Sequence, residues 1–351
     1  MILDPILDMF RGKAVTIPPL DGAFRPNKRL DDASALTSLA EPDNLLVADG
    51  RLLASSGSII YAIKAGAEPA VAETFSSPVT ALTLSPSGGL VVGLESGKLL
   101  IAGKEVSLPA GIRCITALAY AGDGTLWLAN GSAEHTPSQW AADLMKKGAS
   151  GSLWRCGPAE IRFQKIAGDI AFPYGLHPIE RDVLVAESWR HQLVRFDGAT
   201  GNRSTALTHL PGYPARLSPA ADGGTWLTLF APRNRLIEFV LQETHYRQDM
   251  IEQVPPAYWI APALASSRSF LEPLQCGGIR TMGIHKPWSP SRSYGLVVRL
   301  DQNMQPQFSL HSRANGTRHG ICSVVERDGQ LVIASRGGDC VLVVDLASGG
   351  F

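Results

Sequence analysis

Short runs in which apolar and polar residues alternate recur along the whole chain. They include "NLLVADGRLLASSGSIIYAI" (Asn44–Ile63), "VTALTLSPSGGLVVGLESGKLLIA" (Val79–Ala102) and "ITALAYAGDGTLWLANG" (Ile115–Gly131), followed by "GSLWRC" from Gly151. The pattern continues in "LHPIERDVLVAESWRHQLVRFD" (Leu176–Asp197), "ARLSPAADGGTWLTLFAPRNRLIEF" (Ala215–Phe239), "YGLVVRLD" (from Tyr294) and "ICSVVERDGQLVIASRGGDCVLVVDL" (Ile321–Leu346). Period-two alternation predicts strands with one face buried. Each unit runs strand, tight turn, strand, polar loop and strand. The turns hold Asp-Gly or Ser-Gly-Gly, a strong hairpin signal because glycine accepts positive φ at little cost.

Six such units, each about 40 to 55 residues long, predict an all-β chain folded as a six-bladed β-propeller. Residues 1–30 read as an N-terminal arm, and Ala14–Ser34 as the segment that supplies the outer strand closing the ring. Such closure removes exposed sheet edges. Residues 31–351 form the propeller, and 241–293 break the hairpin grammar. That stretch, with "HYRQDMIEQVPPAYWIAPALASSRSFLEPL", reads as a helical insertion between blades five and six. "SAEHTPSQWAADLMKKGAS", from Ser132, predicts a helix on a long loop of blade three.

Composition adds limits. Thirty-two basic residues balance 32 acidic ones. Such a balance gives no electrostatic reason to expect nucleic acid or an anionic membrane as partner. No run of about 18 apolar residues exists, so no transmembrane segment is expected. The N-terminus, "MILDPILDMFRGK", carries Asp4 and Asp8 where a signal peptide is basic and then apolar, and it reads as a short amphipathic helix or an arm. A cytoplasmic location follows. The five cysteines, Cys114, Cys156, Cys276, Cys322 and Cys340, form no CxxC pair, which argues against a zinc site. Their odd number favours free, buried thiols, with a Cys322–Cys340 bridge as the alternative.

Several of these stretches resemble one family. "FPYGLHPIERDVLVAESWRHQLVRF" resembles the fourth blade of strictosidine synthase-like proteins, and "LPGYPARLSPAADGGTWLTL" resembles their fifth. "YGLVVRLDQNMQPQFSLHS" and the stretch from Ile321 resemble their sixth. The likeness runs in order from about Pro42 to Leu346, within the wider gluconolactonase and senescence-marker-protein group. It implies a six-bladed propeller with its site at the mouth of the central channel, and it leaves the reaction open. Hydrolytic members hold Ca²⁺ with an acid from the first blade, amides from the middle blades and an Asp from the fifth. The matching positions here are Asp43 (with Glu41 nearby), Thr116, Tyr174 and Ala215. A hydroxyl, a phenol and a methyl group are poor substitutes for carboxylate and amide ligands. No cofactor is therefore expected, and a divalent metal such as Ca²⁺ is disfavoured. The synthase's catalytic glutamate falls on Cys322, which argues against synthase chemistry.

A different constellation stands at the inner-strand starts. His319, Cys322 and Tyr174 are the candidate catalytic residues. A histidine can act as a base near neutral pH, and a cysteine becomes nucleophilic when a nearby cation lowers its pKa. Asp43, Thr116 and Arg216 are the candidate substrate-binding residues, and Arg216 suits a carboxylate or oxyanion. Duller roles compete: a core thiol for Cys322, a turn cap for His319, an ion pair with Asp43 for Arg216, and an interblade structural acid for Glu187. These residues suggest a small-molecule hydrolase acting on a lactone or ester. The alternative is a non-catalytic propeller that binds a metabolite or a protein.

Overall fold

The computed structural model describes residues 16–266, 269, 271–273, 280–281, 284–285 and 291–347. Six four-stranded antiparallel sheets form the blades of a propeller. Blade one comprises Asp43–Ala48, Arg51–Ser56, Ile59–Ile63 and Ala70–Thr74. Blade two follows with Val79–Leu84, Leu90–Leu94, Leu99–Ile101 and Lys104–Val106. Blade three is Ile115–Tyr120, Leu126–Asn130, Gly151–Cys156 and Phe163–Ile170, and blade four is Pro173–Ile179, Asp182–Glu187, Gln192–Phe196 and Arg203–Leu207. Blade six takes Ile321–Arg327, Gln330–Ser335 and Cys340–Asp345, with Ser34–Ser38 as its outer strand. That last pairing closes the ring, with a strand that begins at Ser34, where the expected closing segment of Ala14–Ser34 ends. Before reaching it, the arm crosses blade five, where the Leu30 amide donates to the His311 carbonyl and Asn27 bonds the backbone of Ser309 and His311.

The Asp-Gly turns behave as their chemistry requires. Both residues of Asp49-Gly50 and of Asp328-Gly329 adopt positive φ, the geometry that matches strand twist in two-residue hairpins. Core side chains lie between the sheets. Val185, Val194 and Phe196 of blade four, for example, pack against Trp127 and Leu153 of blade three.

Blade five differs from its expected composition. Its inner hairpin is Gly212–Pro219 with Thr225–Pro232, but the run from Arg235 is helical rather than a third strand. Asn234 caps this helix by accepting from the Leu236 amide, and Ile237 and Val240 bury one face at helical spacing. The third and fourth strands are Gly295–Leu300 and Pro306–Ser312, the segment that reads in sequence as the opening of blade six. The helical insertion thus opens out of blade five and ends ahead of blade six. Helices are numbered α1 (Trp140–Met145, on the blade-three loop), α2 (Arg235–Gln242) and α3 (Thr244–Gln253). Among the described residues no helix is long and apolar enough to cross a membrane. The expected amphipathic N-terminal segment and Cys276 lie outside the described residues. Cys114, Cys156, Cys322 and Cys340 are buried free thiols.

Candidate functional site

Every inner strand carries a one-residue register shift near its start. The shifts fall between Asp43 and Leu46, Val79 and Ala81, Ile115 and Ala117, Pro173 and Gly175, Pro214 and Leu217, and Ile321 and Ser323. A bulge bends the strand and re-aims a side chain. The residues within these shifts are Asn44 and Leu45, Thr80, Thr116, Tyr174, Ala215 and Arg216, and Cys322. The ring symmetry brings these positions to one end of the channel. In blade five the bulge encloses two consecutive residues, which take different directions. Ala215 is fully buried among Tyr213, Phe230 and Cys322, while Arg216 extends across the channel. Gly175, of the "FPYG" stretch, permits the close packing there. A Cβ on it would collide with the Ala215 carbonyl and the Arg216 backbone.

Arg216 reaches three other blades. Its Nε donates to Asp43 Oδ1 at 2.8 Å and its Nη2 to Asp43 Oδ2 at 3.0 Å. Nη2 also donates to the Thr80 carbonyl at 2.9 Å, and Nη1 to the Thr116 carbonyl at 2.7 Å. The Tyr174 ring lies 5.3 Å from the guanidinium carbon, within cation–π range. Burial alone would raise the Asp43 pKa, but the charge and hydrogen bonds of Arg216 outweigh it and hold the carboxyl below its usual value. The pair therefore stays ionised and forms the floor of the site.

Above this floor a cavity of about 320 Å³ opens at the channel mouth. Asp43, Thr80, Thr116 and Arg336 contribute its polar lining, and Trp140, Phe172, Tyr174, Trp189 and Phe230 an aromatic wall. The rings brace one another: Phe172 stacks on Trp189 at 4.4 Å between centroids, and Trp140 meets Phe230 edge-on at 5.3 Å. Buried Asp143 of α1 fixes the wall by accepting from the Trp189 indole at 2.7 Å, with its other oxygen 3.2 Å from His135 Nδ1. The blade-three excursion is clasped over one side, where Glu95 of blade two accepts from the Ser138 amide and hydroxyl.

Of the candidate site residues, Asp43, Thr116 and Tyr174 line this cavity, and Arg216 lies beneath it. Thr116 directs its hydroxyl to the Pro173 carbonyl, so it also ties blade three to blade four. Cys322 is fully buried, and burial pushes its thiol up to about 12. Burial likewise raises the Tyr174 phenol well above its usual range. His319 requires a correction: it does not line the cavity. Its Nδ1 lies 2.8 Å from the Ser293 hydroxyl and its Nε2 2.8 Å from the Arg313 carbonyl, which fixes the ring between blade six and the insertion. Glu187 is the structural acid of its duller reading, fully buried and bonded by Arg190, Arg203, Gln192 and the Ala171 amide.

A divalent cation does not fit this floor while Arg216 stands in it. Both Asp43 oxygens and the inward carbonyls of Thr80 and Thr116 already accept from the guanidinium. A second positive charge at that point would be repelled. Arg336 escaped sequence reasoning. It follows the second strand of blade six in "SRGGD", where neither hairpin grammar nor the family motif marks it. The wall residues Trp140 and Trp189 escaped for a similar reason, lying on an excursion and on a turn after a second strand.

The fold is shared with solved structures named as gluconolactonases and a regucalcin. No family profile matches the chain, and no curated protein sequence matches it. A gluconolactonase of Xanthomonas campestris superposes with a TM-score of 0.56 at 16% identity, over 88% of this chain and 87% of that one. A putative gluconolactonase gives 0.55 at 13% identity, over 89% and 91%. A calcium-binding regucalcin from Agrobacterium tumefaciens gives 0.54 at 12% identity, over 89% and 92%. At these identities the likeness concerns the fold.

Proposed function

We propose that this propeller takes one small molecule into the mouth cavity and binds it without a metal, on an aromatic wall above the Asp43–Arg216 floor. The observation that carries this reading is the pairing of a preformed, partly apolar cavity with a floor whose charges are already matched. The groups suited to chemistry are muted there. The Cys322 thiol, at about 12, is protonated at neutral pH, and the His319 imidazole is engaged elsewhere. Binding is therefore favoured over turnover. A cytoplasmic setting belongs to the proposal, supported by the buried free thiols. So does a place in the strictosidine synthase-like branch, supported by the order of the "FPYG" and "LPGYPARL" stretches.

A second reading is hydrolysis of a lactone or ester. Two of the solved structures sharing the fold are named as gluconolactonases, and the cationic Arg336 faces the cavity, where it could stabilise a developing oxyanion. One experiment separates the two readings. A panel of small lactones and esters is incubated with the full chain, with and without chelator, while ligand binding is followed by tryptophan fluorescence from the wall. The binding reading expects fluorescence changes without hydrolysis. Chelator-insensitive turnover establishes the second reading, and turnover abolished by chelator overturns both.

A further inference from the structure

The cations at the site differ in what remains open on them. Arg216 uses Nε, Nη1 and Nη2 on protein oxygens. Arg336 makes one long side-chain bond, from Nη2 to Glu41 Oε2 at 3.2 Å, and Glu41 lies on the rim with its side chain 56% exposed. The Arg336 Nε–H is buried with no acceptor among the described residues. The Thr80 hydroxyl, from another cavity-lining residue, is buried in the same state. A buried donor without an acceptor is costly to the fold and is ordinarily satisfied by something. The root of Arg336 is fixed, since its amide donates to the Gly320 carbonyl and the next amide to the His319 carbonyl. The tip is tied by the single bond to Glu41.

We propose that Arg336 is the anchor for an aromatic carboxylate. The proposal rests on the small-molecule-binding reading of the cavity and adds the ligand's class. On leaving Glu41, the Nε and Nη2 edge of the guanidinium takes both carboxylate oxygens, as Arg216 does with Asp43 one layer below. The flat body of the ligand lies along Trp140, Tyr174 and Trp189, and Thr80 offers a hydroxyl to the head group. At about 320 Å³ the cavity is near the lower limit of small-molecule pockets, roughly 300–1,000 Å³, and suits one flat ring system with a short acidic arm. Recognition of an amine is the competing chemistry, since Glu41 and Glu95 also line the cavity. Glu95 is engaged by Ser138, and among the described residues the unsatisfied polar groups beside the cavity include a cationic donor, the Nε–H of Arg336.

The test compares 1-naphthylacetate, 1-naphthylacetamide and 1-naphthylethylamine by calorimetric titration of the full chain. The carboxylate is expected to bind at least ten times more tightly than the neutral amide. Arg336→Gln should remove that preference, so that carboxylate and amide bind alike. Arg336→Lys, which keeps the charge without the fork, should fall between. Tighter binding of the amine, equal binding of carboxylate and amide, or a carboxylate preference that survives in Arg336→Gln overturns the proposal while the cavity reading stands. If none of the three probes binds, the cavity reading fails and the proposal with it.

Discussion

Arg216 joins blade five to blades one, two and three through four hydrogen bonds, two of them to one carboxylate. Removing one partner of such a buried pair leaves the other charged and dry, a loss of about 3–5 kcal/mol. Arg216→Ala is accordingly expected to lower stability by that order. Asp43→Asn combined with Arg216→Met should recover much of the loss, because neither residue then leaves a buried charge. Urea unfolding of the single and double variants measures the cycle. A cost below about 1 kcal/mol for Arg216→Ala, the range of an exposed pair, would show that the pair is solvated and not a floor. Asp43, Thr116, Tyr174 and Arg216 could be picked out in the sequence because the family resemblance implies site positions at the inner-strand starts, and the repeated hairpin shows where those starts lie. His319 was misplaced because it precedes its strand, where alternation does not set side-chain direction. Arg336 was missed because the loop after a second strand carries no signal of its own.

At the scale of elements, the bulges and the insertion shape the site. The six bulges re-aim residues at the starts of the inner strands, and nothing in an alternating apolar run announces an extra residue. The insertion is held to the ring by a small polar cluster. Glu238 of α2 lies 3.0 Å from Arg233 Nε and 3.3 Å from His191 Nε2, and His191 also reaches the Gly212 carbonyl. Burial lowers the His191 pKa against the pull of Glu238 and the Gly212 carbonyl, and Arg233 supplies Glu238 with a fixed counter-charge. Against burial, which raises it, the hydrogen bonds from His191 and Arg233 hold the Glu238 carboxyl down at about 2, from an ordinary 4.5. A carboxyl lowered by folding contributes stability above its unfolded pKa and loses it as pH falls through the folded one. The melting-temperature gap between the parent and Glu238→Gln should therefore be full above about pH 5 and close between 4.5 and 2. A gap that does not change over that window would remove Glu238 as an ionic anchor. The helix itself was only half legible. "RLIEF" satisfies a strand pattern as well as a helical one, and the Asn234 cap decides between them.

At the scale of the whole molecule, the sequence displayed the ring because each blade is built on a local hairpin. It did not display the pairing of Thr225–Pro232 with Gly295–Leu300, because the partners are separated by the whole insertion and only tertiary contact joins them. The central claim also belongs at this scale: a guanidinium stands where a propeller of this fold could gather oxygens around a cation, and it holds the blades together from inside. A ligand raises the melting temperature only by binding the native state. The most direct test is the melting temperature of the parent and of Arg216→Ala, each measured in chelator and in a calcium titration. The parent is expected to be indifferent to Ca²⁺. Arg216→Ala, with the Asp43 carboxylate and the Thr80 and Thr116 carbonyls released, is expected to melt lower and to regain part of the loss as Ca²⁺ is added. A parent protein that gains many degrees at micromolar Ca²⁺ would contradict the account.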